Sequence, residues 1–92
     1  MKYRVELTKW AQKALEKVPA YIADKLLNWA ADVEDRGLVE VRKIPGYHDE
    51  PLRGARKGQR SLRLSRSYRA LYIELEGEIV IVQVIEVTKH DY

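Results

Sequence analysis

Tyr3, Val5 and Leu7 alternate with Arg4 and Glu6, which predicts a short strand with one buried face. The period then lengthens. Trp10, Ala11, Ala14, Leu15 and Val18 recur at helical spacing behind Thr8, whose hydroxyl can cap a helix start. Pro19 ends that helix, because the residue before a proline is pushed out of the helical region, and it is well placed to open the next. In the second helix Ile22, Leu26, Trp29, Ala30 and Val33 form one stripe, and Gly37 stops it. Both tryptophans lie in apolar stripes and are expected in the core. Leu38, Val41 and Ile44 predict one further helical turn.

Residues 45–58 hold two prolines and three glycines among charged side chains and read as a loop. Beyond Gly58 the period falls to two. Residues 60–65 and 68–75 are expected strands around a tight turn at Arg66 and Ser67. Glu76-Gly77-Glu78 is a second hairpin turn, and 79–87 is apolar enough for the centre of a sheet. The order β-α-α-loop-β-β-β predicts an α+β fold in one domain spanning 1–92, with two N-terminal helices packed on a small, mainly antiparallel sheet.

Composition narrows the class. At 92 residues there is room for one modest core, and the absence of cysteine removes disulfide and thiolate chemistry, which fits a reducing cytoplasm. The longest apolar run, 79–82, is far too short to span a bilayer, and the start lacks the apolar region of a signal peptide. The net charge of +3 conceals an asymmetry. Residues 42–72 carry nine basic groups against Asp49 and Glu50 alone, whereas residues 1–41 balance and 73–92 are acidic. Within the basic segment Arg60, Arg63, Arg66 and Arg69 recur every third residue. Guanidinium on a sheet is costly unless an anion offsets it, and the planar fork of arginine matches phosphate oxygens. With Arg53, Arg56, Lys57 and Lys89 these arginines are expected to bind RNA if the fold gathers them on one face; otherwise they form a solvated basic surface.

Two histidines stand at informative places, His48 in the proline–glycine loop and His90 after the last strand. Imidazole can donate or accept a proton near neutrality. With Lys89, Tyr92 and the arginines they make up a kit for cleaving a phosphodiester without metal: a base for the 2′-hydroxyl, an acid for the leaving 5′-oxygen, and fixed positive charge for the phosphorane. No metal-binding or phosphate-loop motif is present, and no cofactor is expected. Asp49 and Glu50 read as solvated loop acids, and Ser61, Ser65 and Ser67 lack the histidine–acid pattern of a nucleophilic serine. Tyr68 and Tyr72 share a strand face, suited either to base stacking or to the core.

The strings His48-x-x-Pro51-Leu52-x-Gly54, Gly58-Gln59-Arg60-Ser61-Leu62-Arg63-Leu64, Tyr68-Arg69-Ala70-Leu71-Tyr72 and Val87-x-Lys89-His90-x-Tyr92 resemble the RelE/ParE superfamily of bacterial toxins, closest to the RelE/StbE and HigB-type messenger-RNA interferases. The resemblance covers essentially the whole chain. It implies a fold similar to small microbial ribonucleases, cleavage of mRNA in the ribosomal A site, and silencing by a cognate antitoxin. It also implies roles. Arg69 matches the arginine that contacts the scissile phosphate, and Arg63 a basic strand residue in proton transfer or charge stabilisation. His90 stands where relatives carry a basic or imidazole group, Tyr92 approximates their terminal aromatic, and His48 resembles the loop histidine of some members. The chain departs from some relatives in closing at Tyr92 and in carrying arginines for lysines. Arginine does not readily give up a proton, so the identity of the base stays open.

The expected function is therefore a type II toxin acting as a metal-independent, ribosome-dependent endoribonuclease in the cytoplasm. Two alternatives remain. A ParE-like poison of DNA gyrase would have no use for His48, His90 and Tyr92, and a silent RNA- or ribosome-binding module leaves the terminal His-Asp-Tyr unexplained.

Overall fold

A computed structural model describes residues 2–89. The first strand, β1 (Lys2–Leu7), runs into helix α1 (Lys9–Lys17) through Thr8. The Thr8 hydroxyl accepts a hydrogen bond from the Ala11 amide at 3.1 Å and donates to the Ile85 carbonyl at 3.0 Å, so the helix cap is also a tie to the far end of the chain. Helix α2 (Ala20–Arg36) starts at Pro19 and ends at Gly37, whose φ of 87° only glycine adopts without strain. A Cβ there would lie 3.1 Å from the Tyr3 ring. Helix α3 (Leu38–Arg42) follows at once, as the Leu38–Val41 spacing predicts.

Four more strands complete the sheet: β2 (Glu50–Pro51), β3 (Arg60–Arg63), β4 (Tyr68–Leu75) and β5 (Ile79–Lys89). Their order is β1-β5-β4-β3-β2, antiparallel except that β1 runs parallel to β5. The apolar strand β5 is flanked by β1 and β4, as its composition requires. Three expectations need correction. The segment 45–58 is not all loop, since β2 pairs with β3 and two single 3-10 turns flank it. Strand β3 stops at Arg63, because Ser65 Oγ accepts hydrogen bonds from the Ser67 and Tyr68 amides, each at 3.2 Å, and turns the chain. Trp10 is not core: it is 73% exposed, because Ala11, Leu15 and Val18 take the sheet-facing side of α1.

The core lies between the helices and one sheet face. Ile22, Leu26, Trp29 and Val33 of α2, with Leu38 and Val41, pack against Leu62, Ala70, Tyr72, Val80, Val82 and Val84. The Trp29 and Tyr72 rings meet at 5.2 Å between centroids. Because side chains alternate across a strand, the other face of the same strands carries a second set, including Ser61, Arg63, Arg69, Leu71 and Thr88. Among the described residues no helix covers that set. Only the turns after β2 fold over its Leu71 end.

Candidate active site

The strand register arranges the uncovered face in two rows. Glu50, Ser61, Leu71 and Glu86 stand directly opposite one another across β2, β3, β4 and β5. The next row is Arg63, Arg69 and Thr88. Between Leu71 and Tyr72 the register of β4 on β5 slips at a bulge; Tyr72 then pairs with Val84 and Leu71 with Glu86, so Ile85 is the extra residue. The bulge brings Glu86 onto the open face beside Leu71. Arg56, reaching down from the turn after β2, contacts Glu86 at 3.0 Å and donates to Gln59 at 2.9 Å. The result is a groove of about 320 Å³ lined by Glu50, Leu52, Arg56, Ser61, Arg69, Leu71 and Thr88.

Electrostatics set this groove apart. Arg63 and Arg69 are a directly opposed cross-strand pair of like charge, an arrangement that destabilises a sheet on its own. Neither pairs with a carboxylate among the described residues, since Glu86 is taken by Arg56 and Asp49 by Arg60. Among the described residues Arg63 Nε donates only to the Ser65 carbonyl, at 3.4 Å, so both guanidiniums have charge to offer an incoming phosphate. At the rim His48 Nε2 lies 3.4 Å from Glu50 Oε2. His48 adopts the left-handed backbone conformation (φ 43°, ψ 51°), uncommon for a side chain other than glycine or asparagine. A backbone strained beside charged side chains is a common mark of functional sites.

What holds the rim is buried behind it. The Asp49 side chain, only 1% exposed, accepts from Arg60 Nε at 2.6 Å and from the Tyr72 hydroxyl. Tyr72 accepts in turn from Arg42 Nε at 3.2 Å, and Arg42 pairs with Glu74. Burial, and then the hydrogen bond to Asp49, pushes the Tyr72 hydroxyl well above the usual tyrosine range. Asp49 is thus a buried anchor rather than a solvated loop acid, flanked in sequence by the two rim residues His48 and Glu50.

The structure divides the residues singled out in the sequence. It brings Arg63, Arg69 and Arg56 together on the groove, with His48 at its rim. Arg60 lies on the helix-facing side, paired with Asp49, and Lys89 stands opposite Tyr68 on that same side. Arg53, Lys57 and Arg66 are exposed in turns. Tyr72 is buried against Trp29 and takes no part in base stacking. His90 and Tyr92 lie outside the described residues. Glu50 and Ser61, read in the sequence as a solvated acid and a serine without a nucleophile's partners, line the groove, and Glu86 stands beside it paired with Arg56; the signal for Ser61 was its parity with Arg63 on one strand.

No protein-family model and no curated protein sequence matches the chain. Solved structures do. The toxin–antitoxin complex RelBE2 from Mycobacterium tuberculosis is 25% identical with a TM-score of 0.70, over 98% of this chain and 100% of that one. The chain has the fold of the RelE/ParE toxin superfamily. Two further RelE/ParE-type structures agree: the E. coli DinJ–YafQ toxin–antitoxin complex (16% identity, TM-score 0.73, 98% and 94% covered) and the archaeal RelE–RelB complex from Pyrococcus horikoshii OT3 (20%, 0.67, 97% and 96%). Each of these solved chains is covered almost end to end. On this RelE/ParE-type fold the groove lies on the helix-free side of the sheet.

Proposed function

We propose that the chain is the toxin of a type II toxin–antitoxin pair and that it cleaves mRNA on the ribosome, using the helix-free groove as its active site. The observation that carries this reading is the facing Arg63–Arg69 pair, left without carboxylate partners among the described residues, on the face where Glu50 holds the His48 imidazole. In the proposed step the ribose 2′-oxygen attacks the phosphorus and the 5′-oxygen leaves, giving a 2′,3′-cyclic phosphate and a 5′-hydroxyl. Arg69, with Arg63, holds the non-bridging oxygens as charge builds on them. His48 and Glu50 are close enough together to act as one proton-accepting unit for the 2′-hydroxyl. The resemblance keeps His90 as the proposed acid and Tyr92 as an aid to substrate stacking. A cognate antitoxin with an acidic segment is the proposed inhibitor, because charge complementarity draws it to the groove. Cytoplasmic action follows from the substrate.

The test is cleavage of mRNA on programmed ribosomes, mapped by primer extension. A 2′-deoxy nucleotide at the cut site is expected to abolish the reaction, and chelation of divalent ions from a prebound complex is expected to leave it intact. If messages remain whole while DNA gyrase is trapped on DNA, the nuclease reading is wrong and the gyrase reading replaces it.

A further inference from the structure

One groove residue is at odds with its surroundings. Ser61 is 3% exposed, lines the floor of the groove, and its hydroxyl has no hydrogen-bond partner among the described residues. A buried polar group is expected to be paired, and its pairing here is conspicuously missing, because Leu71 stands opposite on one side and Glu50 bonds only toward His48. Alanine would fill the same space without the cost of an unmet hydroxyl. The donor sits one row from the Arg63–Arg69 pair, where an anion is required for charge reasons. Two deficits therefore face one space: positive charge without a counter-charge, and a hydroxyl without an acceptor. A phosphate meets both.

We propose that Ser61 Oγ is a neutral ligand of the bound phosphate, donating to one non-bridging oxygen from the groove floor while Arg69 and Arg63 contact the other. The inference rests on the phosphate-binding reading of this groove and adds to it a residue whose role is binding, not nucleophilic attack. A hydroxyl suits this position because a third cation beside two facing guanidiniums would raise their mutual repulsion in the empty site.

The experiment is a titration of the purified chain with inorganic phosphate, followed by backbone amide shifts, for the wild type, Ser61→Ala, Ser61→Cys and Arg69→Ala. The wild type is expected to show shifts centred on residues 61–63 and 69–71. Ser61→Ala is expected to bind about tenfold more weakly, the usual effect of one hydrogen bond to a charged partner, with an unchanged or raised melting temperature. Ser61→Cys, a weaker donor of similar volume, should fall between. If Ser61→Ala and Ser61→Cys bind phosphate as the wild type does while Arg69→Ala does not, Ser61 is no ligand and the groove reading stands without it. If the wild type itself shows no shifts at these strands, both readings fall. A second readout uses RNA with sulfur in place of one non-bridging oxygen at the cut site. One stereoisomer should slow wild-type cleavage, and Ser61→Ala should lose that discrimination; discrimination retained in full overturns the proposal.

Discussion

At the scale of single residues, the chain keeps costly side chains where a ligand would relieve them. Arg63 opposite Arg69 costs stability in the empty protein, so removing one should not weaken the fold. Arg69→Ala is expected to melt at or slightly above the wild-type temperature and to cleave about 10²–10³-fold more slowly, the loss typical of one fixed donor at a charged transition state. A marked fall in melting temperature would instead make Arg69 a structural residue. His48 is the complementary case. Asparagine tolerates its left-handed backbone, so His48→Asn should keep the fold and lose cleavage on ribosomes by about 10²-fold, the lower range for a general acid–base group. Asp49 behaves oppositely. Its carboxylate is buried between Arg60 and Tyr72, and Asp49→Ala should cost about 1–3 kcal/mol in denaturant unfolding by leaving the Tyr72 hydroxyl and the partly exposed Arg60 without their acceptor.

At the scale of elements, most of the fold was legible because its segments obey their periods. The α2 stripe, the Thr8 cap and strand β4 all appear where the spacing puts them. Three things were hidden, each for a physical reason. The two-residue strand β2 is too short to show a period and forms only because β3 offers an edge. Trp10 belongs by spacing to two adjacent helix faces, and packing on the sheet selected the one containing Ala11. The arginines at intervals of three were expected to bind RNA if the fold gathered them on one face, but three is an odd number and a strand sends odd neighbours to opposite faces. Arg60 and Arg63 therefore part company, and the hairpin register, not the spacing, returns Arg69 to the side of Arg63. The stop of α2 offers a check. Gly37→Ala places a Cβ against Tyr3 at a backbone angle that side chains avoid, and is expected to cost about 1–3 kcal/mol by thermal or chemical unfolding. A neutral result would mean that the α2–α3 junction has a second conformation.

At the scale of the molecule, charge and proton linkage give two measurable signatures. If the groove binds RNA backbone, log affinity should fall linearly with log salt, and losing one phosphate contact through Arg69→Ala should reduce the slope by about 0.7 for a single strand. An unchanged slope would mean that Arg69 does not touch phosphate. Alkaline stability reports on the buried network. The Tyr72 hydroxyl is held protonated well above the usual range, so its contribution is fully present below about pH 10, where an unfolded tyrosine ionises, and is lost as pH rises from there. Tyr72→Phe should be less stable at pH 8 by about 1–3 kcal/mol, since Asp49 loses a donor, yet decline less steeply above pH 10. Parallel alkaline limbs for the two proteins would show that the network does not depend on that proton.

The placement of β5 has a consequence for how the molecule comes into being. Thr8 bonds to Ile85, 77 residues away, and among the described residues β1 finds its only strand partner in β5. Contacts so distant in sequence close slowly, because a long loop must be ordered before they repay it. A growing chain therefore emerges with its helices made and their apolar stripes uncovered, which leaves it prone to aggregation until the sheet closes. The last of the described strands is the one on which β1 and β4 both depend, and it carries Thr88 of the groove and Glu86, the partner of Arg56. A protein proposed to attack translation thus carries no assembled groove until β5 has been made.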